Sequence, residues 1–517
     1  MTGFFGLIFI ILSFMGFSSY VKERFLLNNY FIPFVLATTY ILTIYIAALF
    51  SFMKIWVYGV NILGIVILFT YKSKKHIIKS LFPSYYLFFI GLIVFTIYLY
   101  NKKSFWYDDY SHWGVISRLL LEKDSLNTAP DFTIDFKSYP QASAYFLYGI
   151  GKFVGYSEGK LFIANTMLMY SACFCFFYCL RGKNFVYGFL IVAFALFYNT
   201  RPYTLYVDSL LSAFAFAIFA FYLYLRENEK LGIFTVPMFA SIVLLKNSGL
   251  MLAIFLIIFY IFYERKKALV LACYDLLAVL ISYLSWNLHV KNEFGTLSKH
   301  QMSISAYSKE LHSKDMEVVN KISSLFAKAI ISDWFIIVFL IILVLIYFIY
   351  NKDKKIHEVR IISLIVYGFY AVGLYLMYLF SMPTHEALWL ASFDRYIRTI
   401  HILIFMSALY YLFLNFDNQR LLGLIFSLVC VFTLVKAQPI GIIAPRNVEV
   451  REIFDREKIK LGDVSGKNIL VVFKHQDQSR YYTRMAMFVF DKAHITDSFR
   501  GDSRQFNKED FDYIIEE

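Results

Sequence analysis

Residues 334–350, from Trp334 to Tyr350, read WFIIVFLIILVLIYFIY, a run of 17 positions without a charge. A helix crossing ~30 Å of hydrocarbon needs about 17–25 mostly apolar residues. This stretch meets that need and leaves no polar face for water. Working outward, stretches of the same character recur along the chain. The predicted spans are 3–19, 31–51, 55–71, 84–100, 160–180, 184–200, 207–225, 231–246, 248–263, 267–286, 333–350, 360–381, 397–415 and 420–437. That is about 14 transmembrane helices, within bounds of about 12–16 set by the span lengths a bilayer accepts. Composition agrees. Of 517 residues, 59% are hydrophobic, 20% aromatic and 17% charged, whereas soluble domains run at about 45–50% apolar and about 25% charged. A chain of this length built as soluble domains would have too little polar surface to cover its cores.

With 23 Gly, 9 Pro and 5 Cys, the chain is neither collagen-like, nor disordered, nor a disulfide scaffold. Cys173, Cys175, Cys179, Cys273 and Cys430 lie in apolar runs without metal-ligand spacing and read as small buried hydrophobes. The first apolar run has no basic residue before it and no small-residue cleavage pattern after it, so a retained helix is expected.

The net charge is +13, and its placement carries more information than its size. In alternate short loops lie Lys22 and Arg24; Lys72, Lys74 and Lys75; Arg181 and Lys183; Arg226 and Lys230; Arg265, Lys266 and Lys267; Lys352, Lys354 and Lys355; and Arg420. The positive-inside rule makes these loops cytoplasmic. The N-terminus, the segments 101–159, 201–207, 287–332 and 382–396, and the tail from about 438 are then external. That tail has ordinary soluble density of polar residues. Asn468–Phe473 reads as a buried strand, 479–490 as a helix and 512–515 as another strand. The predicted architecture is therefore an all-α polytopic membrane domain over 1–437 and a small extracytoplasmic α/β module over 438–517. The tail has no G-x-G-x-x-G or P-loop pattern, and the chain has no evident internal repeat.

Four clusters break the apolar monotony on the external side. After the fourth span come Phe105, Trp106, Tyr107, Asp108, Asp109, Tyr110, Ser111, His112, Trp113 and Gly114. Two adjacent acids stand at a helix exit, and an amphipathic helix with Val115, Ile116, Leu119 and Leu120 on its apolar side follows. Such a helix is expected to lie in the interface plane. The alternative reading is an interfacial aromatic belt with solvated acids. Asp208 sits at the mouth of the seventh span, where an ionisable group is costly without a partner or a role; an N-cap is the alternative. Lys246, in the turn Lys246-Asn247-Ser248-Gly249, lies on the side that the charge bias disfavours, which points to an anionic ligand or to snorkelling. Asp394, Arg395, Tyr396 and Arg398 open the thirteenth span. A planar guanidinium suits phosphate, with pairing to Asp394 or to a lipid headgroup as the alternative. Acids and cations thus converge on one face from distant segments, a pattern suited to deprotonating a hydroxyl and holding a departing phosphate.

Those residues resemble the GT-C class of membrane glycosyltransferases, of which protein O-mannosyltransferases and bacterial envelope-decorating enzymes are members. The likeness covers roughly residues 80–410. It rests on the acidic pair opening the first large external loop at 101–159, and on Val207-Asp208, Leu245-Lys246-Asn247-Ser248-Gly249 and Asp394-Arg395-Tyr396 in that order. Three spans precede the one leading into the acidic loop, where many members have a single one. The resemblance implies inverting transfer of a sugar from a polyprenyl-phosphate-linked donor to an envelope glycan, glycolipid or polymer, at the outer face of the cell membrane. Membrane lipid is then a partner and nucleic acid is not. Asp108 and Asp109 would be catalytic, with Asp108 the base. His112, Trp113, Asp208, Lys246, Asp394, Arg395, Tyr396 and Arg398 would bind substrate. The chain shows no metal-site spacing, and the resemblance leaves a divalent metal open, since some members use one. Two rivals remain at this stage. A lipid-linked-sugar flippase or other transporter would place its polar groups nearer the bilayer midplane. A polysaccharide polymerase or ligase would carry its main loop late in the chain.

Overall fold

The computed structural model describes the whole chain except residues 1, 71–80, 82–83, 129–133, 181–184, 296–307, 309, 311–313, 351, 417, 438–444, 477–479, 501, 503–505 and 517. Lys72, Lys74, Lys75, Arg181 and Lys183 of the basic loops lie outside the described residues.

The described chain opens with α1 (Thr2–Phe25), α2 (Ile32–Leu49), α3 (Met53–Thr70) and α4 (Ser84–Leu99). A π-helical turn at Asp109–Trp113 leads into α5 (Gly114–Lys123), followed by α6 (Ala142–Val154). Next come α7 (Glu158–Cys173), α8 (Phe185–Phe197), α9 (Asp208–Leu225), α10 (Thr235–Leu245), α11 (Gly249–Glu264) and α12 (Leu269–Phe294). The membrane part ends with α13 (Met316–Ile331), α14 (Trp334–Ile349), α15 (Lys354–Phe380), α16 (Thr384–Ala387), α17 (Phe393–Asn415) and α18 (Gln419–Ala437). Several starts carry side-chain caps that satisfy otherwise orphaned amides. Ser157 accepts from the Lys160 amide at 3.2 Å, Asp315 from Val318 at 2.8 Å and Asp353 from Lys355 at 2.7 Å.

All 14 predicted stretches fall on helices, but the structure separates them by length. Among the described residues, ten helical stretches are long and apolar enough to cross a membrane, one of them Gly249–Phe294, which joins two of the predicted spans. The stretches 84–100, 184–200 and 231–246 form helices of 16, 13 and 11 residues. At ~1.5 Å per residue none of these three reaches ~30 Å unaided. Ile55, Ile97, Phe262 and Val435 stand on the outer surface, each at least 75% exposed, a placement that lipid tolerates and water does not. The chain is thus a multi-pass membrane protein. Helix α9 is buried nearly all round and packs between α7, α10 and α17, which makes it the central element. Four of the cysteines are buried as expected, whereas Cys273 is exposed on α12.

Helix α5 departs from the expectation of a bare interfacial helix. Val115, Ile116 and Leu120 are buried within the protein, because α6 covers one side and the tail covers another. The tail forms α19 (Pro445–Leu461), β1 (Asn468–Phe473), α20 (Tyr481–Val489), β2 (His494–Phe499) and β3 (Tyr513–Glu516). Its three strands are parallel in the order β2-β1-β3, with Asn468 opposite His494 and Ile469 opposite Tyr513. The strand β2 and the helix α19 were not foreseen.

Candidate active site

Four helix ends meet at one end of the bundle. Asp108 directly precedes the π turn, a local widening of the helix that is common at functional sites. Gly114 closes that turn, since a Cβ there would lie 2.6 Å from the Asp109 carbonyl oxygen. Asp208 is the first residue of α9. Lys246 is extended, with φ −161° and ψ 151°, in the short link between α10 and α11. That link folds back tightly enough that a Cβ on Gly249 would sit 2.0 Å from the Ile242 carbonyl oxygen. Arg395 and Tyr396 lie in the first turn of α17.

These ends bring four charges into an alternating chain. Lys246 Nζ lies 2.6 Å from Asp208 Oδ1, and Arg395 Nε lies 3.4 Å from the other oxygen, Oδ2. Arg395 Nη1 donates to Asp108 Oδ2 at 2.6 Å. The Arg395 guanidinium also lies 4.6 Å from the centre of the Tyr206 ring, and the Lys246 ammonium 4.9 Å from that of Tyr396. All four side chains are largely buried, with Asp108 the most open at 20% exposure. Two cations balance two anions, the condition under which buried charge is tolerated. One donor is only loosely engaged: Arg395 Nε is buried, faces Asp208 at 3.4 Å and makes no hydrogen bond among the described residues.

The acidic pair divides. Asp109 is fully buried and turns away from the cations. It accepts a hydrogen bond from the Ser104 hydroxyl at 2.5 Å and one from the Leu205 amide at 3.0 Å. Burial pushes its carboxyl up to about 8, against those two bonds, with Asp108 and Glu158 adding to the rise. It therefore keeps its proton at neutral pH. His112 is also buried, its Nδ1 2.8 Å from the Ser111 hydroxyl. Burial lowers it to about 3, with the nearby charges of Asp108, Arg395, Lys246 and Asp208 acting in both directions. A neutral imidazole offers hydrogen bonds but no charge. Its ring packs edge-on against Tyr139, which stacks on Trp113 at 5.9 Å, so His112 and Trp113 form an aromatic wall.

These two shifts have opposite signs in stability. Asp109 favours the folded state fully below its ordinary value of 3.8, and that contribution is lost as pH rises through about 8. His112 favours it above 6.5, and that contribution is lost as pH falls toward about 3. Thermal stability should therefore be flat between roughly pH 4 and 6.5 and fall on either side. Over the alkaline limb the loss is about 2 kcal/mol, at about 1.4 kcal/mol per unit. Asp109→Asn is expected to remove that limb. Melting curves of the detergent-solubilised protein at pH 6.5 and pH 8.5 check this, and parallel losses in both proteins would refute it.

Asp394 and Arg398 do not join the charged chain. They line a neighbouring cavity with Asp333 and His401. Helical register explains the split: on α17, residues 394, 398 and 401 share one face, while 395 and 399 share another. Beneath that cavity the His401 Nε2 lies 2.8 Å from Asp333 Oδ2, Tyr367 donates to the same oxygen at 2.6 Å, and Tyr198 meets His401 Nδ1 at 2.9 Å. Asp333 and His401 were not among the expected residues. His401 lies inside the predicted span 397–415 and Asp333 opens another, and an ionisable group at such positions is itself a functional signal.

The tail holds the acidic loop from outside. Arg451 donates to Glu158 at 2.6 Å and to the Ser104 carbonyl at 3.1 Å. Tyr481 donates to the Phe105 carbonyl, Arg484 pairs with Asp135, and Arg118 donates to the Phe488 carbonyl at 2.8 Å. As for a metal, both acids of the charged chain are paired with cations. Among the described residues no three His, Cys, Asp or Glu side chains stand together in a way that could hold one. The donor set does not fit a divalent cation.

No family model, curated protein or solved structure matches the chain.

Proposed function

We propose that the chain is a membrane glycosyltransferase that moves a sugar from a polyprenyl-phosphate-linked donor to an envelope glycan, glycolipid or polymer, with inversion. The observation that carries this reading is the buried chain Asp108–Arg395–Asp208–Lys246, at whose centre the Arg395 Nε faces Asp208 only at 3.4 Å and makes no hydrogen bond among the described residues. A phosphodiester entering here adds one negative charge and meets Arg395 Nε. Arg395 then shares its charge with the phosphate, and Asp108 is released from its ion pair. The Asp108 carboxylate takes the proton of an acceptor hydroxyl. The hydroxyl oxygen forms its bond to the anomeric carbon as the bond from that carbon to the phosphate oxygen breaks. The lipid phosphate leaves with the electron pair, its charge held by Arg395 and Lys246. Asp208 keeps both cations in place, Asp109 fixes the turn that carries Asp108, and His112, Trp113 and Tyr396 wall the site. No step needs a metal.

The site faces outward in this reading, with 14 membrane passages, the three short helices included. Arg226, Arg265, Lys266, Lys267, Lys354 and Arg420 flank the opposite ends of α9, α11, α15 and α18, which is the cytoplasmic pattern. The module after residue 437 is then external too.

Purified protein in lipid vesicles, given labelled polyprenyl-phosphate sugars and envelope extract as acceptor, tests the reading. Asp108→Asn should lower transfer by about a hundredfold or more, the scale of a lost general base. Asp109→Asn, which keeps a neutral hydrogen-bonding group at a buried position, should retain most of it. Full transfer by the Asp108→Asn protein would overturn the assignment.

A further inference from the structure

The cavity beside the charged chain has about 180 Å³ of room, enough for roughly six waters at about 30 Å³ each. Its floor is rigid. His401 uses both ring nitrogens, on Tyr198 and Asp333, and Phe335 stacks on the imidazole with ring centres 4.5 Å apart. Its rim is polar. Asp394 is exposed, and the Arg398 guanidinium lies 5.3 Å from the centre of the Tyr198 ring. Trp334 and Phe393 complete the wall. Carboxylate and guanidinium groups suit the hydroxyls of a sugar, and aromatic rings suit the apolar C–H faces of a pyranose. An isoprenoid tail would offer these polar rim groups no hydrogen bond, whereas sugar hydroxyls can pair with both. The two sites share the first turn of α17, and the Arg395 carbonyl accepts from the Asn199 side chain at 3.0 Å.

We infer that this cavity binds one pyranose ring of the glycan acceptor, next to the charged chain that would carry out the transfer. Its role as an acceptor site rests on the transferase reading above, but sugar binding itself does not. The size of the cavity limits recognition to a single ring, with the rest of the acceptor outside.

The test uses full-length protein in lipid nanodiscs without donor, so it stands or falls separately from the transfer assay. The probes are methyl glycosides of the common hexoses and N-acetylhexosamines, together with a Ser/Thr tripeptide, read by saturation-transfer NMR. At least one glycoside should show transfer that drops several-fold in Arg398→Gln and in Asp394→Asn. Asp394 is exposed, so the second variant should fold even if the first does not. No glycoside signal, a signal indifferent to both substitutions, or binding of the peptide in place of a glycoside would each overturn the inference.

Discussion

Arg395→Ala is expected to give a protein that is poorly folded and transfers no sugar. Its guanidinium pairs with both Asp108 and Asp208. Removing it leaves two largely buried carboxylates with a single cation, Lys246, to balance them. Breaking a buried ion pair by deleting one partner costs about 3–5 kcal/mol, a large share of the roughly 5–15 kcal/mol that a typical protein has in hand. The comparison with Arg395→Lys separates charge from geometry. A lysine restores the charge, but its single ammonium cannot present a fork to two carboxylates and a phosphate together. Thermal stability should therefore recover in part while transfer does not. Lys246→Ala should cost less stability, because Asp208 keeps Arg395. Melting of the detergent-solubilised proteins, with transfer measured on the same preparations, checks all three. An Arg395→Ala protein that melts with the wild type and transfers at its rate would end the case for the charged chain.

That chain was legible in the sequence because its members stand at helix mouths, and two of them oppose the charge bias. Lys246 and Arg395 could be singled out on that ground alone, and the apolar runs placed Asp208 and Asp108 on the same side. What stayed hidden depends on angles and long-range contacts. Asp394, Arg395 and Arg398 are neighbours in sequence, yet ~100° of helical rotation per residue sends Arg395 to the charged chain and the other two to the cavity beside it. Asp108 and Asp109 look equivalent until the π turn points one at Arg395 and the other at Ser104. The pairing of Arg451 with Glu158 spans 293 positions, and no local periodicity encodes it. In the tail, β1 was readable because NILVVF is the central strand of the sheet. The strand β2, HITDSF, is an edge strand with polar residues interspersed, and it lacks the continuous apolar run that marks a buried strand.

The tail also carries the second large effect. Deleting residues 438–517 removes none of the four charges, yet it should abolish transfer. The helix α20 lies against the acidic loop through Tyr481 and through Phe488, whose ring is 5.2 Å from that of Tyr110. Arg451 binds Ser104 through its carbonyl, and the Ser104 hydroxyl in turn donates to Asp109. The turn bearing Asp108 is thus held between the bundle and the module, and a displacement of about 1 Å is enough to cost a hundredfold in rate. The point variant Arg451→Met makes the same argument without a truncation. It takes from Glu158 its cation, at about 3–5 kcal/mol for a broken buried pair, and leaves the Ser104 carbonyl with the Tyr110 hydroxyl in place of two donors. Both melting temperature and transfer rate should drop. Arg456→Gln, on the exposed side of the same helix α19, breaks only a solvent-exposed contact with Glu457, worth at most about 1 kcal/mol, and should change neither. If the Arg451→Met and Arg456→Gln proteins behave alike, the module is not what holds the acidic loop, and Asp108 owes its position to the bundle alone.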